Sequence, residues 1–302
     1  MPLWIEKYRP TEIKDFEGSD KLINFFKTTI KKKNLPNILL SGPAGTGKTT
    51  FAKLLANGLN DQNKFLVKEY NASNDRGITL IRNEIKNYSS MFRRTILILD
   101  ECENLTKDSQ TCLRRILEDY SDTTSFIFIT NYHSKIIDPL KSRLLEFKFR
   151  INLSDINILS KICLKESLNI SDDLIKYIFD ILNADLRRSI NLLQSLKVLL
   201  KDKNSFDDQI TLINDILGIV PKSVIKSFYD LNINNFYEFI QNFKNNSYSV
   251  LQFIYQLSDE DMLEQMNEIY SELQYKLLIG CSNEIALNYL CVKKIEYTTF
   301  YD

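Results

Sequence analysis

Asn37-Ile38-Leu39-Leu40-Ser41-Gly42-Pro43-Ala44-Gly45-Thr46-Gly47-Lys48-Thr49-Thr50 is the stretch whose reading decides the fold. A short apolar strand runs into G-x-x-x-x-G-K-[ST] and then into a helical pattern reaching about Leu59. Each position in that pattern has a physical reason. Glycines at 42, 45 and 47 let backbone N–H groups close around phosphate oxygens where a Cβ would obstruct them. The helix that follows aims its positive dipole end at the same anion. Lys48 supplies a cation for the β- and γ-phosphates, and the Thr49 hydroxyl is a ligand for Mg²⁺. The segment therefore reads as a nucleotide phosphate site, with ATP and Mg²⁺ as the expected ligands.

Working outward, short apolar runs alternate with amphipathic helices. Strands are expected at 65–70, 95–99 and 126–130, with a last edge strand at 147–149. Helices are expected at 76–88 and 109–120. Alternation of this kind predicts a parallel sheet covered by helices on both faces. Asp100-Glu101 closes the 95–99 strand, where one carboxylate can serve Mg²⁺ and the next can orient or deprotonate water. Thr130-Asn131 closes a later strand and would present an amide near the γ-phosphate, although Thr-Asn is also ordinary turn chemistry.

Beyond about Ser154 the strand signal stops. Ser154-Asp155 and Ser171-Asp172-Asp173 are N-cap signals before helical patterns, and a further helix runs from Asp185 to Leu200. Residues 201–208 are polar and turn-rich, and the rest reads as helices rich in Phe, Tyr, Ile and Leu. The expected organisation is an α/β nucleotide-binding domain over 1–152, a small helical domain over 153–206 and an all-α domain over 207–302.

Composition adds limits. Charge balances at 39 basic and 39 acidic residues, so contact with nucleic acid would need a local basic strip. Five scattered cysteines without a CxxC pair, and one histidine, do not make a zinc site and suit a reducing, intracellular setting. No apolar run approaches the roughly 18–20 residues of a membrane helix, so no membrane partner is expected.

Several further segments resemble one family. Pro2-Leu3-Trp4-Ile5-Glu6-Lys7-Tyr8-Arg9-Pro10 is similar to the amino-terminal box of replication factor C small subunits. Asn71-Ala72-Ser73-Asn74-Asp75-Arg76-Gly77-Ile78 resembles that family's Asn-Ala-Ser-Asp-x-Arg-Gly-Ile motif. Leu113-Arg114-Arg115, Ser142-Arg143-Leu144 and the stretch from Ala184 to Asn191 match three more of its motifs in order, while Gly218-Ile219-Val220-Pro221 resembles the collar only loosely. The resemblance implies an AAA+ P-loop domain, a helical lid and an all-α collar that holds a ring together. Its implied activity is an ATPase that opens sliding clamps and sets them on primer–template DNA. The implied partners are the other subunits of a hetero-pentameric clamp loader, the clamp and the DNA; a eukaryotic source would place the chain in the nucleus.

Residue by residue, the resemblance puts Tyr8, Arg9 and Pro10 against adenine and ribose, and Gly42, Pro43, Ala44, Gly45, Thr46, Gly47, Lys48, Thr49 and Thr50 around the phosphates. Thr49 and Asp100 would serve the metal, Glu101 the attacking water, and Asn131 the γ-phosphate. Arg187 would touch the phosphates of its own ATP, whereas Arg143 would act in trans at a neighbour's. Arg76, Arg82 and Arg114 would contact DNA phosphates, which carry affinity without reading sequence. Leu144 stands in place of the family's Cys and Ala184 in place of its Gly. Cys102-Glu103 replaces Ala-Asp just beyond the acidic pair and is expected to lie outside the chemistry. Asn74 replaces an Asp in the loop expected to face DNA, removing a negative charge there. Two alternatives stand beside this reading. Another AAA+ machine, such as a junction-migrating helicase or a clamp loader for a specialised checkpoint ring, would lack the Trp4–Pro10 box with Ser-Arg-Leu or share these small subunits outright, and a ring subunit that binds without hydrolysing would not need Lys48, Glu101 and Asn131 together.

Overall fold

The computed structural model describes residues 2–60, 65–73, 87, 94–150, 155–199, 206–246, 248–259 and 266–301. The chain divides into two compact units, Met1–Lys201 and Asp202–Asp302.

In the first unit, helix α1 is Trp4–Lys7 and helix α2 is Asp20–Lys32. Strand β1, Ile38–Ser41, leads into α3, Lys48–Leu59, and then β2, Leu66–Asn71. Strand β3 is Thr95–Asp100, α4 is Lys107–Asp119 and β4 is Thr124–Thr130. A short α5, Asp138–Lys141, precedes β5, Leu145–Lys148. The strands form one five-stranded sheet in the order β2-β3-β4-β1-β5, with every pair parallel. Asp100 pairs in register with Asn71, and Ser41 with both Thr130 and Lys148. The carboxyl ends of the strands thus share one edge, and β1 is inserted out of sequential order between β4 and β5. Open α/β sheets bind ligands at such an edge.

The period of two along each strand sorts the core. Ile38 and Leu40, with Ile96, Ile98, Ile127 and Ile129, pack on one face against Leu22, Phe26, Phe51 and Leu55. Leu39, Leu97, Leu99, Phe126 and Phe128 face the other way, against Leu113, Ile116, Leu117 and Leu140. The predicted strands fall where expected, with β4 and β5 beginning two residues earlier. The helix expected at 76–88 lies outside the described residues. Absent from the expectations above is the 13-residue α2, which buries Leu22, Phe26 and Thr29.

Three lid helices follow: α6 Asp155–Lys165, α7 Asp172–Ile181 and α8 Leu186–Leu199. Ser171 caps α7, its hydroxyl accepting from the Leu174 N–H at 3.3 Å, as its sequence signal predicts. The end of α7 is a Schellman turn: Asn183 N–H donates to Asp180 and Ala184 N–H to Phe179. That turn puts Asn183 and Ala184 at φ 53° and 54°. Ala184 therefore occupies left-handed backbone without the freedom glycine would have.

The second unit holds α9 Phe206–Leu217, α10 Lys222–Tyr229, α11 Phe236–Asn245, α12 Val250–Asp259, α13 Asn267–Leu278 and α14 Asn283–Tyr301. Its core is aromatic. Phe253 meets Phe228 edge-on at 5.2 Å and Phe243 at 5.1 Å between ring centres, and Phe239 and Tyr270 are buried with them. Among the described residues, no helix is long and apolar enough to cross a membrane.

Candidate functional site

A cavity opens at the carboxyl edge of the sheet, between the loop after β1, the amino-terminal segment and the lid. Its lining brings together Tyr8, Arg9, Pro10, Ala44, Gly45, Thr46, Gly47, Lys48, Thr49, Thr50, Asp100, Glu101, Asn131 and Arg187. Gly42 and Pro43 do not line it and border a neighbouring hollow instead.

The loop's shape depends on its glycines. Gly42, Gly45 and Gly47 have φ of 148°, 74° and 86°. A Cβ at Gly42 would come within 2.3 Å of the Phe149 carbonyl, and one at Gly45 within 2.2 Å of Asp185 Oδ1. Gly42 is therefore pressed against Phe149, just past β5, and Gly45 against Asp185, at the start of the lid helix α8, with no space for a side chain at either position. Lys48, 5% exposed, turns its ammonium onto the loop's own carbonyls, Gly42 O at 2.8 Å and Pro43 O at 2.6 Å. Burial pulls its pKa down to about 8 despite the Asp100 carboxylate nearby. A buried cation whose contacts are neutral carbonyls is suited to an arriving anion.

Asp100 and Thr49 meet directly. The Thr49 hydroxyl donates to Asp100 Oδ2 at 2.9 Å, and the Glu101 N–H donates to Asp100 Oδ1 at 2.8 Å. Burial raises the Asp100 pKa, while these two hydrogen bonds pull it back. A hydroxyl and a carboxylate oxygen at this separation form a hard-oxygen donor pair, the chemistry Mg²⁺ selects. Glu101 sits at φ 55°, ψ 41°, a conformation costly for a residue with a Cβ. The turn points the chain back into a 3-10 turn at Cys102–Asn104, and Glu101 lines the cavity.

Asn131 is fixed by a partner the sequence reading left out. Glu103, expected outside the chemistry, accepts from Asn131 Nδ2 at 3.0 Å and from its backbone N–H at 3.3 Å. The residue two beyond Glu101 thus touches the cavity-lining Asn131. On the lid, Asp185 Oδ1 accepts the N–H groups of Arg187 and Arg188 at 2.9 and 3.1 Å. This cap satisfies orphan donors at the start of α8 and brings Arg187 to the cavity. An Asp two residues before Arg187 is the sequence signal for that cap.

The amino-terminal segment docks on the lid through Glu166. Its Oε1 accepts Lys7 Nζ at 2.5 Å and Tyr8 Oη at 2.6 Å, and its Oε2 accepts Lys197 Nζ at 2.6 Å. The Lys197 and Lys7 ammoniums beside it hold the Glu166 carboxyl down at about 2. The Trp4 backbone N–H donates to Gln194 Oε1 at 2.9 Å, and the residue is 3% exposed. No local sequence pattern announces Glu166. Its partners lie more than 150 residues away and 31 residues away in sequence.

Arg143 lies away from its own chain's cavity. Its Nε donates to Glu118 Oε1 at 2.6 Å, its Nη2 contacts the same oxygen, and its Nη1 donates to Pro139 O at 2.7 Å and Ser142 Oγ at 3.1 Å. Arg114 Nε stands 3.6 Å from Glu118 Oε1. Arg76 and Arg82 lie outside the described residues.

Residues 38–154 match the family model "ATPase family associated with various cellular activities (AAA)", and residues 157–198 match "RCF1/5-like, AAA+ ATPase lid domain". The chain is 33% identical to the replication factor C small subunit of Staphylothermus marinus, over 95% of this chain and 92% of that protein. It is 35% identical to replication factor C subunit 4 of Arabidopsis thaliana, over 93% and 87%. It is 38% identical to subunit 2 of Oryza sativa subsp. japonica, over 74% and 70%. Among solved structures, the Thermotoga maritima RuvB Holliday junction branch migration motor aligns with a TM-score of 0.56 at 21% identity, covering 70% of this chain and 74% of that one. That likeness is one of fold alone. The chain belongs to the replication factor C small-subunit family of AAA+ ATPases, the clamp-loader ATPases.

Proposed function

We propose that this chain binds ATP at the cavity and hydrolyses it within a hetero-pentameric ring, coupling turnover to opening a sliding clamp and leaving it on primer–template DNA. The observation that carries the site assignment is the Thr49–Asp100 contact of 2.9 Å beside a buried Lys48. A hydroxyl, a carboxylate and an ammonium converge there at the mouth of a helix dipole.

Tyr8, Arg9 and Pro10 bind adenine and ribose, and the Gly42–Thr50 backbone cradles the phosphates. Lys48 leaves its loop carbonyls for the β- and γ-phosphates. Thr49 and Asp100 would hold Mg²⁺, which would supply charge neutralisation for the phosphates. Glu101 accepts a proton from water as the water oxygen bonds to the γ-phosphorus; the bond from that phosphorus to the β–γ bridging oxygen breaks, and ADP leaves with the electron pair. Asn131, steadied by Glu103, orients the γ-phosphoryl group, and Arg187 reports its presence to the lid. Arg143 serves the ATP of the adjoining subunit, which makes hydrolysis depend on assembly. Arg76, Arg82 and Arg114 bind DNA phosphates. We assign 1–152 to the nucleotide domain, 153–206 to the lid and 207–302 to the collar, and place the protein in the nucleus if its source is eukaryotic.

The test is a ring reconstituted with its partner subunits. Lys48→Ala should lose turnover at this chain's site by about 10²–10³-fold. Arg143→Ala should cost about 10³–10⁵ at the neighbouring site while leaving this chain's nucleotide affinity intact. Lys48→Ala turning over at the parent rate would remove the motor assignment.

A further inference from the structure

The trans role of Arg143 raises a question that its surroundings answer. An arginine on a surface segment has many rotamers, and a group that must meet a phosphate on another subunit loses rate if it has to be ordered at the moment of reaction. Here the guanidinium is already ordered. Glu118, in the last turn of α4, takes Nε and Nη2 on a single oxygen, while Pro139 O and Ser142 Oγ hold Nη1. The Arg143 side chain nonetheless stays 29% exposed, so it is aimed without being covered. The same helix grips the preceding chain at a second point. Gln110, 1% exposed, donates to Lys135 O at 3.1 Å and accepts from Ile137 N–H at 2.9 Å. The 135–143 segment is therefore fixed to α4 near both ends, at Gln110 by backbone and at Glu118 by the guanidinium itself. Arg114 touches the Glu118 oxygen only at 3.6 Å, which leaves Arg143 as the close partner.

We infer that Glu118 is a positioning residue for the trans-acting arginine, presetting the Arg143 guanidinium for the neighbouring subunit's triphosphate. This rests on the reading of Arg143 given above. Glu118 touches neither substrate nor metal, and it acts only through Arg143. The surface ion pair is of a kind that often contributes nothing to stability, so its effect is expected in turnover and not in folding.

The experiment is steady-state ATP hydrolysis by the reconstituted ring carrying Glu118→Gln, Glu118→Asp, Arg143→Ala or Glu118→Gln with Arg143→Ala. Glu118→Gln should lower kcat about tenfold with KM for ATP and the Tm of the chain unchanged, because it disorders a group without removing it. Glu118→Asp should recover part of the loss. The double variant should be no slower than Arg143→Ala alone, since a positioner has nothing left to position. A Glu118→Gln ring at or above the parental kcat, or additive losses in the double variant, would overturn the assignment. If Arg143→Ala itself ran at the parental rate, the trans reading would fall and this inference with it; a slow Arg143→Ala ring beside an unimpaired Glu118→Gln ring would sink the inference alone.

Discussion

The cavity has two ends built on different principles. Where the sheet borders the cavity, the lining comes from motifs at strand termini: the loop after β1, Asp100 and Glu101 at the end of β3, and Asn131 after β4. The parallel register brings those termini to one edge, and short hydrogen bonds such as Thr49–Asp100 finish the arrangement. At the lid end, residues remote from one another in sequence tie the amino-terminal segment to the lid. Tyr8 and Lys7 reach Glu166, just past the end of α6, which in turn holds Lys197 on α8. One end rests on backbone pairing within the sheet, the other on side-chain hydrogen bonds and ion pairs between the amino-terminal segment and the lid.

The largest effect that would sharpen this contrast is at Glu101. In the assembled ring, Glu101→Gln should lower turnover by about 10²–10⁴-fold while nucleotide binding persists. Glu101→Gly should be equally inactive yet fold at least as stably, because it relieves the left-handed backbone at φ 55°. Thermal melts beside nucleotide titrations check both parts.

Next in size is the pH dependence of binding. Free Lys48 has its pKa lowered to about 8, and bound phosphate anions raise it again. Below pH 8 the lysine is charged in both states and affinity is flat. Above it, binding must take up a proton, so affinity falls by up to tenfold per pH unit. A flat profile through pH 9.5 in calorimetric titrations would mean that this ammonium does not meet the phosphates.

The lid end should respond more gently. Glu166→Gln should raise KM for nucleotide a few-fold with kcat little changed, and should red-shift emission from Trp4, the only tryptophan in the chain. The sign with pH follows from the depressed carboxyl. The clasp is fully present above the ordinary value of 4.5 and is lost as pH falls toward about 2. Trp4 fluorescence followed through that window measures it, and an unshifted spectrum in the variant would break the contrast drawn here. The smallest effect is expected at Ala184. Its replacement by Gly relieves φ 54° at the cost of a looser unfolded chain, a net stabilisation below about 1 kcal/mol, read by denaturant melts.

Much of this protein was legible from residues alone, because its phosphate chemistry needs particular side chains at fixed local spacing. Gly-x-x-x-x-Gly-Lys-Thr, the acidic pair at 100 and 101 and the uninterrupted apolar runs alternating with helices point to a nucleotide-binding parallel sheet, and the segments from Pro2 to Asn191 carry the family resemblance. Only the tertiary structure decided which distant partners hold the side chains singled out above. Glu103 on Asn131, Glu118 on Arg143 and Glu166 between Lys7, Tyr8 and Lys197 are single carboxylates with no local signature. Their partners are brought close by strand order and lid packing, and a solvated glutamate and a structural one are spelled the same way in a chain.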